Sequence, residues 1–204
     1  KSLTYLLAEL SILGADFGIY YIEAQYAKDD FVLYQDIFDH KGPVYFYFLK
    51  QIGEIIGWGQ YKAIFSLILS NLVFFVPLYY LIDRFLKKNI EKFLFILMAS
   101  SLLIGQDASS SIAFFKEGLL IVSLSGILFF KRNLLNYLIT IIFFWLSFFT
   151  RVDTITYFPI ILIYFCSNIF LHESLIKRLF LSLIFIISPI IIFKYFSYFF
   201  GFSF

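Results

Sequence analysis

Only one cysteine, Cys166, occurs in 204 residues. It forms no intrachain disulfide, so cysteine usage says nothing of redox compartment; within its apolar run it reads as a small core residue. Charge is scarce too. Asp, Glu, Lys and Arg make up 15% of the chain and the formal net charge is +2. That is too little to draw a nucleic acid, and no basic cluster interleaved with aromatic residues stands outside the loops between apolar runs. Internal repeats and low-complexity linkers are missing, so residues 1–204 read as a single transmembrane domain. The first residue is Lys1 rather than Met. The apolar stretch Ser2–Gly14 is too short to span a bilayer, is interrupted by Glu9, and lacks a small-residue cleavage site before Asp16, which argues against a secretory signal. At the other end, Tyr195–Phe204 is an aromatic run without a polar tail. The expectation is a fragment of a longer protein, with the start of its first span and everything after its seventh missing.

Apolar residues, by contrast, are abundant. They form 61% of the chain, with thirty Phe and a mean hydropathy of +0.88, outside the range of globular domains. The expected fold is all-α, a polytopic transmembrane helical protein of about seven spans. Ala63–Ile82 runs twenty residues without a charge, the length a helix needs to cross a hydrocarbon core of roughly 30 Å. Asn133–Thr150 and Thr154–His172 are similar, and Phe93–Gln106, Gly118–Phe130 and Leu179–Phe193 are shorter runs that flanking residues lengthen by snorkelling. A doubtful first span ends near Ala15.

Alternating spans divide the charged loops into two groups. Loops around 83–92, 131–132 and 173–178 hold eight basic and three acidic residues. The opposite set, containing 16–62, 107–117 and 151–153, holds six basic and ten acidic residues. Lys and Arg bias a loop towards the cytoplasm, so the acidic set faces outward. Its large first loop, 16–60, concentrates Asp16, Glu23, Asp29, Asp30, Asp36, Asp39 and Glu54, a density that hydrocarbon cannot hold. Within it, Phe17, Tyr20, Tyr21, Ala24 and Ala27 recur at helical spacing, leaving Glu23 and Lys28 on other faces, as suits a short helix lying at the interface. Pro43 fits the first turn of a second interfacial helix reaching about Ile56. Gly57, Trp58 and Gly59 end that helix, with Trp58 at headgroup depth.

Chemistry is most concentrated in Asp36-Ile37-Phe38-Asp39-His40-Lys41. Asp36, Asp39 and His40 offer donors for a divalent metal ion or a substrate, and Lys41 offers a cation for a phosphate. On residue types alone, a solvated acidic turn before a helix accounts for the stretch equally well. The wider pattern is that of a family: Asp16 closing the first span, Tyr20, then Tyr34, Asp36, Phe38, Asp39, His40, Lys41 and Pro43. Over residues 14–60 this resembles the first outer loop of the GT-C glycosyltransferases, in the bacterial branch related to protein O-mannosyltransferases and lipid A aminoarabinose transferases. Two positions depart from the family pattern. Phe17 stands where a second acid is common, and Gly42 replaces the first of two prolines, changing local stiffness.

The resemblance implies a membrane enzyme that moves a sugar from a polyprenyl-phosphate donor to a lipid, glycan or protein acceptor on the outer face, in a bacterial inner membrane. It implies Asp16 as the base that takes the acceptor's proton and Lys41 as a ligand of the donor phosphate; for Asp36 it implies presence in the motif only. Asp16 as N-cap of the following helix is the plainer alternative. Lys41, taken as an exposed loop lysine, should contribute little to stability. Farther along, Arg151 and Lys116 are further phosphate candidates, against readings as a helix-end anchor and a snorkelling residue. Glu117 and Asp107 are weaker candidates, and His172 reads as an interface residue. A transporter or lipid flippase is the rival class. It calls for charges near the bilayer midplane and broken helices in repeated halves, whereas Pro77, Pro159 and Pro189 follow no repeat.

Overall fold

The computed structural model describes residues 15–27, 32, 41–104, 110–128, 133–159, 161–163, 167 and 173–202. Among these the protein is all-α, with no strand beyond a bridge residue at Ala27. The helices bounded by described residues are α1 (Ala15–Tyr26), α2 (Pro43–Ile56), α3 (Gln60–Phe85), α4 (Asn89–Ile104), α5 (Ser110–Leu128), α6 (Leu134–Phe148) and α7 (Leu175–Phe200), with a 3₁₀ helix at Val152–Tyr157 and further helical residues at 158–159, 161–163 and 167. Local chemistry sets several ends. Pro43 opens α2, where its missing N–H leaves nothing unsatisfied. Asn133 caps α6, its side chain accepting from the Asn136 amide at 2.9 Å. Gly201 closes α7 in the left-handed conformation at φ 74°.

Among the described residues two helices, α3 and α7, are long and apolar enough to cross a membrane. At 1.5 Å per residue their 26 residues extend about 39 Å, more than the hydrocarbon thickness. The sides of α3 carry the argument. Its buried stripe is Ala63, Ser66, Ser70, Phe74, Leu78 and Ile82, while Phe65, Ile68, Leu72, Val76 and Tyr79 are exposed. Large apolar residues thus lie on both sides of the helix, with small and hydroxyl residues on the inner side of its first half; an outer face of that kind suits lipid rather than water.

Close helix contacts follow from small residues. Pro77 lacks the N–H that would bond the Val73 carbonyl one turn earlier, and α5 presents Gly118 to that carbonyl. A Cβ at Gly118 would lie 2.3 Å from the Val73 oxygen. Beside it, Ser123 Oγ donates to the Thr140 carbonyl at 2.9 Å, joining α5 to α6.

The α1 stripe is buried as its spacing predicts: Phe17, Tyr20, Tyr21, Ala24 and Ala27 are all inside. Ile22 is buried as well, and the helix packs into an aromatic core with α2. Tyr20 meets Tyr45 and Phe46 edge-on at 6.1 and 6.0 Å. Trp58, expected at headgroup depth, packs on Tyr21 at 5.0 Å. Burial raises the Tyr21 pKa, against a smaller lowering by its hydrogen bond to the Gly59 carbonyl. Lys50 is buried on α2 and donates to the Ala27 carbonyl just past the end of α1, where a cation also suits the helix dipole.

Candidate functional site

The site forms where the start of α2 meets the end of α6. An α-helix begins with amides that have no internal partner and ends with carbonyls in the same state; here the two sets satisfy each other. The Gly42 amide donates to the Thr150 carbonyl at 2.9 Å, and the Val44 amide to that of Phe149 at 3.4 Å. Such contact demands glycine. A Cβ at residue 42 would fall 1.7 Å from the Phe149 oxygen, and proline would also remove the donated N–H.

Lys41 precedes this junction. Contrary to the reading as an exposed loop residue, it is only 6% exposed, with Nζ 6.0 Å from the Tyr20 ring centroid. Tyr20 and Lys41, both singled out in the sequence, are thus brought together. Asp16 lies one turn before Tyr20 and is itself helical, whereas an N-cap residue has extended backbone; its side chain lies outside the described set. Asp36, Asp39, His40, Asp107, Cys166 and His172 also lie outside the described residues.

On the other side of the junction stands Lys116, 5% exposed on α5. Its Nζ contacts Glu117 Oε1 at 2.9 Å and Asp153 Oδ2 at 3.2 Å, and Arg151 Nη2 contacts the same Asp153 oxygen at 3.3 Å. Buried hydroxyls fix this cluster. Ser147 Oγ donates to the Lys116 carbonyl at 3.0 Å, and Thr154 Oγ1 donates to the Ser147 carbonyl at 3.3 Å. Glu117 thus pairs directly with Lys116, and Asp153, which the sequence offered only as one acid of the outward loop set, joins Lys116 to Arg151. Ser147 and Thr154 were not anticipated, since single hydroxyls in an apolar run carry no distinguishing spacing.

An apolar groove of about 470 Å³ opens beside the junction, lined by Val44, Phe48, Phe115, Leu119, Ile192 and Phe196 among others. Phe115, the neighbour of Lys116, packs on Phe48 at 4.5 Å. A second hollow of about 450 Å³ shares Phe48 and Leu119 and continues along α3. At the mouth, the Tyr47 and Tyr195 hydroxyls lie 2.8 Å apart. That hydrogen bond, with burial, pushes the Tyr47 pKa from 10.0 up to about 12. A phenol with a raised folded pKa stabilises the fold fully below pH 10 and loses that contribution as pH rises towards 12. Among the described residues no group of three or more His, Cys, Asp or Glu is placed to hold a metal.

No protein-family model, no curated protein and no solved structure matches the chain. The resemblance over residues 14–60 therefore stands on those residues alone.

Proposed function

We propose that this protein is a multi-pass membrane glycosyltransferase of the GT-C type. It moves a sugar from a polyprenyl-phosphate donor to an acceptor hydroxyl on the outer face of a bacterial inner membrane. The observation that carries the reading is the junction itself: a buried lysine, Lys41, and the ion-pair cluster of Lys116, Arg151, Glu117 and Asp153 flank one helix junction, beside an apolar groove. A lipid phosphate needs both parts, cations at headgroup depth and a channel for its chain. The remaining spans are the apolar runs around α4, α5, α6 and 154–172 and a first span ending near Ala15, which complete a set of about seven.

In the reaction, the acceptor oxygen bonds to the anomeric carbon as the bond from that carbon to the phosphate oxygen breaks. Asp16 takes the acceptor's proton. Polyprenyl phosphate leaves with the electron pair, and Lys41, Lys116 and Arg151 stabilise the charge that grows on it. Asp36, Asp39 and His40 are the residues that would hold a divalent ion, whose contribution would be further charge neutralisation at the phosphate.

Proteoliposomes holding the full-length protein and a polyprenyl-phosphate sugar separate this reading from a flippase. Transfer releases polyprenyl phosphate and glycosylates the acceptor, whereas flipping changes only the leaflet of intact donor. Topology is a second expected result. In a Cys166→Ser background, cysteine at position 29 labels from outside, and cysteines at 87 and 177 label only after the inner face is opened. Labelling of position 29 from the inside alone would overturn the outward-facing site.

A further inference from the structure

The Lys116 cluster carries no net charge. Two cations, Lys116 and Arg151, face two carboxylates, Glu117 and Asp153, so an arriving phosphate gains little until one carboxylate withdraws. The carboxylates differ. Glu117 follows Lys116 on α5 with its side chain 26% exposed. Asp153 is 46% exposed, stands on a 3₁₀ helix of 6 residues, and reaches both cations with one oxygen. That oxygen, 3.2 Å from the ammonium and 3.3 Å from the guanidinium, occupies the place a phosphate oxygen would take between them.

We propose that Asp153 is the resident anion of the phosphate seat. Without donor it neutralises Lys116 and Arg151; when donor binds, the phosphate takes its position and the carboxylate turns to solvent. The inference rests on the reading of Lys116 and Arg151 as donor-phosphate ligands. A buried ammonium requires a counter-charge at every stage, and exchanging one anion for another preserves it while Glu117 stays in place. The hydroxyls of Ser147 and Thr154 hold the backbone on both sides, so the exchange needs only a side-chain rotation. Its use is in release. The donor is a phosphodiester, whereas the product is a phosphate monoester carrying about −1.5 to −2 charges at neutral pH; two bare cations would retain the product, and a competing carboxylate expels it.

The test is equilibrium binding of a polyprenyl monophosphate to the full-length protein in nanodiscs, with the uncharged polyprenol of equal chain length as control. Asp153→Asn should bind the monophosphate roughly three- to tenfold more tightly, as expected from releasing two partly exposed ion pairs, with polyprenol unchanged. The gain should vanish in the double variant Asp153→Asn, Arg151→Gln, and Asp153→Glu should return affinity towards the starting value. Asp153→Ser serves if Asn is not accommodated. Equal or weaker monophosphate binding in a folded variant, or failure of both variants to fold, would overturn the proposal. A protein that prefers the monophosphate over polyprenol but gains nothing at position 153 rejects this inference alone. One without that preference rejects the donor reading with it.

Discussion

Asp16→Asn in the full-length protein should leave donor binding intact and lower turnover by about 10²- to 10⁴-fold, the usual contribution of a general base. Asn matches Asp in shape and accepts hydrogen bonds but cannot take a proton, so the substitution isolates proton transfer from positioning. Asp16 is helical, one turn before the Tyr20 that faces Lys41, the backbone spacing on which the proposed pairing of base and phosphate ligand rests. A carboxylate in the first turn of a helix also gains from the helix dipole, and Asn forfeits that, at about 0.3–1 kcal/mol of stability. That loss is too small to imitate a hundredfold fall in rate. Steady-state rates at saturating donor, with a melting curve for each variant, decide the matter; a folded Asn variant keeping more than about a tenth of its turnover removes Asp16 as the base.

Gly42→Ala should be among the most destabilising single substitutions in the chain. The reason is not backbone strain, since Gly42 has φ −79°, which any residue adopts. A methyl group there would sit 1.7 Å from the Phe149 carbonyl oxygen, which is backbone and cannot rotate away. Relief requires α2 to move off α6, and the Gly42–Thr150 and Val44–Phe149 hydrogen bonds are then lost inside the protein. Each buried group left without a partner costs about 1–3 kcal/mol, so a loss of roughly 3 kcal/mol or more is expected. Thermal unfolding in detergent, with Pro43→Ala as a mild control at the adjacent position, measures it. A change within about 0.5 kcal/mol, the range of ordinary surface substitutions, would show that the helix junction is not the close contact described.

The reach of the sequence can be judged at particular residues. The all-α class, the α1 stripe from Phe17 to Ala27 and the start of α2 at Pro43 were legible because each depends on neighbours within a turn or two. Gly57 and Trp58 were legible as the end of α2 for the same reason. The burial of Lys41 and Lys50 was not, because it depends on what the rest of the chain brings over them. Likewise, the role of Gly42 depends on Phe149 and Thr150, more than a hundred residues away, and no local pattern signals that approach. Arg151 and Lys116 could be nominated as charges at span ends. That Asp153 joins them follows only from the fold, which brings the start of the 3₁₀ helix to Lys116 on α5.

Lys41 tests the account most directly, by donor binding to the full-length protein in nanodiscs. Methionine fills a similar volume with a flexible apolar chain, and a melting curve for Lys41→Met separates loss of fold from loss of donor binding. The variant's affinity for a polyprenyl-phosphate sugar should fall at least about tenfold, a loss of about 1.4 kcal/mol, while Lys41→Arg recovers part because it keeps charge without the compact ammonium. A folded Lys41→Met protein that binds the donor as tightly as the unaltered one would contradict the placement of the donor phosphate at this junction.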